Sequence, residues 1–585
     1  MKRAARKLLP ALLGLAVVFY AVNRATEYGR AAVANRVDTN TLIPGFIEFW
    51  TSSIWRLSMV QFDLIAGAIG IGVVLLILAY LHSMKQNTRT GEEQGSADWG
   101  GDKDRKILTE KDDELRLQLT ETEALSMDTS KHFRNLNVLV YGGTGSGKSK
   151  HYVIPNMLRL GCSFAATDPK RELYKATAPA LRDRGYSTPI LDLIDLKKSD
   201  SFNPFRYFKA DAPETSILEL AENMVTNTTG KKPSGAGEFF DRAEKALLTA
   251  LVAYVWATTP TDENGEPNLV AVADLQRRMV AYEGDQADQA ATVDFEIAAA
   301  RELLAAWDGG PAPEGVDEAE LADPPDQEVR DVLAFATRQY AIYEQGAGET
   351  KKSVLISLGV RLAILDMNDV RRILSTDTIG LDRVGFEKQA VYLALPDTTK
   401  AFTVIASLFW QSFFQVNVYL ADSQPDQRLP RQVHAFLDEF ANIGKIPDYE
   451  QLISTIRSRG ISNSVILQAE SQGKSLYGDD WPTIDANCDS LLYLGSRDSG
   501  THKTISELLG DQTIISKESS RSYGASGGWS KNDRNLGRKL LTPDEVGRLD
   551  IDEAILLVRG LRPFRSKKAP MVKRRVRRLA RADAS

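Results

Sequence analysis

Apolar and polar positions fall into three regimes along the chain. Two uninterrupted apolar runs come first, at residues 8–22 and 64–81. The second carries no charge and has the length that crosses a bilayer, about 20 helical residues. The first is shorter, but residues 22–24 make a poor signal-peptide cleavage context and a second run follows, so both are predicted as membrane helices. From residue 132 onward, short apolar runs at 136–140, 162–167 and 188–193 alternate with stretches of helical spacing such as 172–184. That alternation predicts an α/β sheet. It breaks over 212–382, where only helical periodicity appears, at 238–256, 269–282, 295–307, 329–343 and 353–365. It resumes with predicted strands at 390–395, 433–437, 464–468, 490–495 and, last, 554–558, and with helices at 400–419 and 449–458. A Ser- and Gly-filled stretch at 516–534 predicts a flexible loop.

Charge orients the first regime. Lys2, Arg3, Arg6 and Lys7 precede the first run, and Lys85 and Arg89 follow the second. The positive-inside rule then places both ends in the cytoplasm and residues 23–63 outside. Gly67, Gly70 and Gly72 give the second run a face suited to close helix packing, or a spacing of no consequence. The 585 residues, 43% hydrophobic and 26% charged, fit a globular chain of roughly two to four domains. A net charge of −6 names no partner. Its distribution is more telling: residues 283–328 are densely acidic, with Arg301 as the single basic residue. Within it, the Pro- and Gly-bearing residues 309–326 read as a solvated loop, and the acidic charge either keeps that loop soluble or attracts a basic protein substrate. The end of the chain is basic (Lys567, Lys568, Lys573, Arg574, Arg575, Arg577, Arg578, Arg581), suited to phosphate backbones or acidic lipid, or simply solvated. Cys162 and Cys488 form neither a disulfide framework nor a metal-ligand spacing and read as buried free thiols.

The chemistry centres on Gly142, Gly143, Thr144, Gly145, Ser146, Gly147, Lys148 and Ser149, which fit the phosphate-loop pattern between a strand and a helix. Glycines let backbone N–H groups approach phosphates, Lys148 reaches the β/γ-phosphates, and the Ser149 hydroxyl holds Mg²⁺. ATP and Mg²⁺ are the implied cofactors. Such a loop needs an acid for the metal and another for water. The apolar strand at 433–437 ends in both: Asp438 for Mg²⁺ and Glu439 as general base. Gln468 ends a later strand, where a polar residue senses the γ-phosphate or caps the turn. Arg457 and Arg459 stand before that strand, and either could serve a neighbouring subunit as an arginine finger or be a surface residue. Asp168, Lys170 and Glu172 lie at a strand end beside the expected site.

Several stretches together resemble one family. They are residues 95–99 (GSADW), the phosphate loop, 167–172 (TDPKRE), 202–205 (FNPF), 437–444 (LDEFANIG), 457–461 (RSRGI) through Gln468, 501–510 (THKTISELLG) and 540–546 (LLTPDEV). The chain resembles the type IV secretion coupling proteins, the TraG-like conjugal transfer ATPases. The resemblance implies a membrane-anchored homo-hexameric ATPase with a RecA-like motor and an inserted all-helical domain. It implies recruitment of relaxase-bound single-stranded DNA, or of effector proteins, to the components of a type IV secretion channel. It implies a multi-pass protein of the bacterial cytoplasmic membrane with N-terminus and ATPase body in the cytoplasm, and favours Arg457 over Arg459 as the finger. The family often has glycine where Arg171 stands. The expected organisation is an anchor at 1–85, a linker at 86–131, motor segments at 132–211 and 386–565, the helical insertion at 212–385 and a basic tail at 566–585. Two other readings share some of these residues: a double-stranded DNA translocase of the chromosome-segregation type, and a docking receptor whose nucleotide only sets assembly.

Overall fold

The computed structural model describes residues 2–38, 41–83, 92–229, 236–261, 265–282, 291–313, 321, 324–346, 348–521 and 529–571. The chain divides into two compact units, residues 1–94 with 513–536, and 95–512 with 537–585.

The first unit contains three helices, α1 (Lys2–Ala34), α2 (Leu42–Ser52) and α3 (Gln61–Ser83). Over Gln61–Leu81, α3 has a mean hydropathy of 2.7 and is almost wholly exposed, so it is long and apolar enough to cross a membrane. A second helix passes the same test, Thr403–Asp422, but Trp410, Phe413 and Phe414 on it are fully buried, which makes it a core helix of the other unit. The α1 helix runs well past the predicted 8–22 because the polar residues beyond Val22 find partners. Asn23 Nδ2 donates to the Ser58 carbonyl at 3.1 Å and its Oδ1 accepts from the Ser58 amide at 3.0 Å. Arg24 donates to the Phe49 carbonyl at 2.9 Å and lies 4.2 Å over the Phe49 ring. The stretch expected as a loop between spans is therefore folded. A Cβ on Gly67 or Gly70 would come within 2.8 Å of Phe19 or Val22 of α1, whereas one on Gly72 would meet nothing within 4 Å. The first two glycines permit the close approach and the third does not take part.

In the second unit, β1 (Arg116–Gln118) and β2 (Ala124–Ser126) pair antiparallel within the stretch expected as a linker, and Leu108, Leu117, Leu125 and Met127 there are buried. The central strands are β3 (Val138–Tyr141), β4 (Ser163–Asp168), β5 (Ile190–Asp192), β6 (Ala390–Ala394), β7 (Val433–Leu437), β8 (Ile461–Leu467) and β9 (Ser490–Tyr493). After β9 come β10 (Asp511–Arg521), β11 (Trp529–Lys539), β12 (Glu553–Val558) and β13 (Phe564–Lys567). Nine of them form one sheet in the order β13-β12-β9-β3-β8-β7-β4-β6-β5. From β9 to β5 every neighbour is parallel; β12 and β13 extend that edge antiparallel. The β13 strand lies beyond the last one predicted. The Ser- and Gly-rich stretch expected as a loop forms the two-stranded ladder of β10 and β11, most of which belongs to the first unit, with 522–528 outside the described residues. Cross-strand pairing there overrides composition.

Between β5 and β6 the described residues hold helices and no strand, including Pro213–Thr228, Ala236–Thr258, Leu269–Arg277, Thr292–Trp307, Gln327–Glu344 and Gly348–Leu362. They belong to the same compact unit as the sheet. Parts of the acidic segment, 283–290, 314–320 and 322–323, lie outside the described residues, as does the basic tail from 572. The central strands are buried on both faces. In β3, Leu139 and Tyr141 join the core shared with the helical segment, while Val138 and Val140 join the core on the opposite face. This is the period-two division of a sheet covered on both sides.

Candidate functional site

The parallel strands place their carboxyl ends along one edge, where ligands bind in open α/β sheets. Parallel register sets β3 beside β8, β8 beside β7 and β7 beside β4. The residues that follow these strands, Gly142, Gln468 and Asp438, together with the last residue of β4, Asp168, therefore meet at that edge. Gly145 (φ +79°) and Gly147 (φ +87°) take left-handed backbone, which turns the loop around a concavity of N–H groups. A Cβ on Gly142 would collide with the side chains of Ser146 and Lys148. One wider, i→i+5 turn, Lys148–Val153, runs directly into the helix Ile154–Arg159, and Pro155 stands just past that change of winding.

Around the loop lies a cavity of about 540 Å³ lined by Lys148, Ser149, Asp168, Asp438, Glu439 and Gln468, among others. The buried Lys148 ammonium donates to the Gly142 carbonyl at 2.8 Å and stands 3.4 Å from Glu439 Oε1. The Ser149 hydroxyl donates to Asp438 Oδ2 at 2.9 Å. Gln468 Nε2 donates to both carboxylate oxygens of Glu439, at 3.1 and 3.3 Å. Burial pushes the Asp438 carboxyl up to about 6; the Ser149 hydrogen bond and Lys148 pull the other way, and Glu439 adds to the rise. Glu439 occupies left-handed backbone (φ +52°), a conformation costly for a side-chain-bearing residue. It turns the chain so that consecutive carboxylates serve different partners, Asp438 facing Ser149 and Glu439 facing Lys148 and Gln468.

The residues fit a nucleoside triphosphate with a divalent cation. Two hard oxygen donors from Ser149 and Asp438 lie side by side, as suits Mg²⁺ held largely by phosphates and water. The Ser146 hydroxyl is buried without a hydrogen-bond partner inside the loop, and Lys148 has only a carbonyl and a carboxylate to satisfy it.

Lys148, Ser149, Asp438, Glu439 and Gln468 are thus brought together. Arg457 is not. It lies before β8, at the amino end of that strand, and the site lies at the carboxyl end, about 20 Å away for seven extended residues. Arg457 is exposed and makes no side-chain hydrogen bond or ion pair among the described residues, whereas Arg459 is held by both oxygens of Asp422, at 2.7 and 2.8 Å. Arg171 adopts left-handed backbone (φ +57°), which explains why glycine suits this position, and its guanidinium is held by Asp192 at 3.0 Å.

Three features escape sequence reasoning. His434 on β7 is fully buried beneath the acid pair, bonded to Ser462 Oγ at 2.7 Å and Ser464 Oγ at 2.8 Å, and Ser464 also meets Tyr152 at 2.7 Å. Burial pushes this imidazole down to about 3. Asp397, after β6, lines the cavity opposite Lys170, 3.9 Å away. Beyond β13, Lys568 donates to the Ser146 carbonyl at 2.8 Å and the Ala569 carbonyl meets His151 Nδ1 at 2.7 Å, which straps the end of the described chain to the phosphate loop. The alternation of His434 with Ser462 and Ser464 on neighbouring strands was readable only once strand order was known.

Comparison with known proteins gives a consistent result. Residues 86–577 match the model of a family described as type IV secretory system conjugative DNA transfer. Over 440 residues the chain is 24% identical to protein VirD4 of Agrobacterium fabrum, covering 74% of this chain and 58% of that protein. It is 22% identical over 445 residues to a probable conjugal transfer protein TraG of Sinorhizobium fredii, covering 75% and 62%. The match thus spans less than two thirds of the length of these curated relatives. The fold is similar to that of plasmid coupling protein TrwB in complex with ADP and Mg²⁺, with a TM-score of 0.52 and 16% identity over 82% of this chain and 95% of that one.

Proposed function

As the chain belongs to the type IV secretory system conjugative DNA transfer family, we propose that it is a membrane-anchored ATPase that recruits substrate and drives it into a type IV secretion channel. The substrate class is relaxase-bound single-stranded DNA, effector proteins or both. The observation that carries the reading is the pairing of Ser149 with Asp438 and of Lys148 with Glu439 and Gln468 at the carboxyl edge of the sheet. Lys148 concentrates positive charge where the terminal phosphates belong. Glu439 accepts a proton from the attacking water, and Gln468 fixes the orientation of that carboxylate through two hydrogen bonds. Ser149 and Asp438 would hold Mg²⁺, which neutralises phosphate charge when bound.

Arg457 acts on a neighbouring copy's nucleotide in a homo-hexamer. Its exposure and lack of a partner among the described residues support this role over Arg459, which Asp422 already engages. The helical segment between β5 and β6 serves as the inserted domain. The α1 and α3 helices anchor the protein in the bacterial cytoplasmic membrane with the ATPase body in the cytoplasm, a reading supported by the apolar exposed length of α3 and its glycine contacts with α1. ATP hydrolysis by the detergent-solubilised full chain, with and without single-stranded DNA, tests the proposal. DNA-stimulated turnover that disappears in Lys148→Ala supports it; turnover that survives Lys148→Ala overturns it.

A further inference from the structure

The phosphate loop borders two cavities. The one already described holds the acid pair. The other, about 730 Å³, shares Gly143, Thr144, Gly145 and Gln468 with the first but opens on the β9 and β12 flank, where Arg497, Asp550, Ile551 and Lys568 line it. The acids lie on the β7 and β8 side, so a nucleotide with its terminal phosphate there has this second cavity on the other side of the loop to receive its remaining half. What lines it suits that end of the ligand. Ile551 is 77% exposed and offers an apolar platform. Arg497 is exposed and makes no side-chain hydrogen bond or ion pair among the described residues.

Lys568 is the less ordinary residue. It is 7% exposed, its ammonium donates to the Ser146 carbonyl at 2.8 Å, and no carboxylate lies within ion-pair distance among the described residues. A buried cation with one neutral acceptor is unfavourable unless an anion completes it. Burial lowers its proton affinity, and the more distant Asp552 and Asp550 only partly restore it. The backbone fixes its place, because the Lys568 amide donates to the Asp552 carbonyl at 2.8 Å and the next residue, Ala569, accepts from His151.

We propose that this second cavity is the nucleoside-side half of the nucleotide site and that Lys568 binds a phosphate oxygen of the nucleoside polyphosphate there, beside the unpartnered Ser146 hydroxyl. The inference rests on the reading of the loop as a nucleotide site and adds a second lysine, from the far end of the chain, to it. Lys568 thereby links the segment leading into the basic tail to the state of the loop.

The test measures ADP and pyrophosphate binding to the full chain in detergent, and its melting temperature without ligand. Lys568→Met is expected to weaken both ligands about tenfold or more, the scale of one charge-assisted hydrogen bond. Lys568→Arg should stay within a few-fold of wild type. Ile551→Ser should weaken ADP several-fold and leave pyrophosphate unchanged, because pyrophosphate lacks the nucleoside. Without ligand, Lys568→Met should melt no lower than wild type, which a purely structural lysine would not allow. Unchanged ADP affinity in Lys568→Met, or equal loss of ADP and pyrophosphate in Ile551→Ser, overturns the inference and leaves the loop's function standing. Failure of the wild-type chain to bind ADP at all would instead remove the reading on which it rests.

Discussion

Asp438→Asn separates the cost of the metal-side carboxylate from its use. In the structure Asp438 is 3% exposed and accepts hydrogen bonds from the Ser149 hydroxyl and the Glu439 amide, with the Glu439 carboxylate next to it in sequence. Burial raises its carboxyl from 3.8 to about 6. Ionising it in the folded state therefore costs about 3 kcal/mol more than in the unfolded chain. The sign follows from linkage: the folded state binds more protons between pH 3.8 and 6, so this group favours folding in acid and loses that contribution as pH rises through 6. At pH 7.5 the full cost is present. Asparagine keeps an oxygen for the Ser149 hydroxyl and removes the charge. The ligand-free variant should therefore be more stable than wild type by up to about 3 kcal/mol, which for a cooperative unit of several hundred residues is roughly 3 °C in melting temperature. Bound cation and nucleotide reverse the balance, because they make the carboxylate's charge favourable. Wild type at 100 times the dissociation constant of Mg²⁺–ATP should gain about 2.7 kcal/mol, and Asp438→Asn should gain much less. Differential scanning fluorimetry of the full chain in detergent, with and without Mg²⁺ and a non-hydrolysable ATP analogue, reads both effects. A ligand-free Asp438→Asn that melts below wild type, or one with the wild-type ligand shift, would refute the reasoning.

Three further outcomes follow from other parts of the molecule. Neutral burial of His434, with its folded value near 3 against 6.5, makes the folded state bind fewer protons between those limits, so stability falls as pH drops below 6.5. This term is on the order of 1 kcal/mol at pH 5.5; the wild-type pH profile should lose that component in His434→Gln, and parallel profiles would count against it. Gln468→Ala should lower ATP turnover about tenfold or more while nucleotide affinity holds, since Gln468 bonds Glu439 rather than the phosphate loop's own lysine; an equal loss of affinity would place Gln468 in binding instead. In the anchor, Gly67→Leu or Gly70→Leu should destabilise the pairing of α1 with α3 and Gly72→Leu should not, because only the first two press on α1; protease sensitivity in detergent distinguishes them.

The parts of the protein legible in its sequence were those written in local patterns. The loop from Gly142 to Ser149, the acid pair after the apolar 433–437 run and the apolar length of α3 each declare themselves within about twenty residues. Features made by distant partners did not. The β1 and β2 pair hides in a charged stretch because its few apolar residues, such as Leu117 and Leu125, are short of any periodic signal until the sheet covers them. The β13 strand sits among basic residues and owes its existence to pairing with β12, and β10 with β11 forms in a stretch whose composition favours a loop. Beside the phosphate loop, Lys568 read as one more charge of a basic tail, suited to phosphate or acidic lipid or simply solvated; only the fold brings it onto the Ser146 carbonyl. Arg457 and Arg459 were distinguished in sequence only by the family resemblance; the ion pair of Arg459 with Asp422 joins residues 37 apart and left no local signal.

The central claim, that turnover at Glu439 powers transfer, is tested most directly by substrate transfer in cells carrying Glu439→Gln as the sole copy. The glutamine keeps the side-chain length and the neighbourhood of Lys148 and Gln468 but cannot take a proton from water. Glu439→Gln should yield a protein that inserts, binds ATP and transfers nothing. Transfer at the wild-type level by that variant would contradict the claim and leave nucleotide binding, without hydrolysis, as the protein's working step.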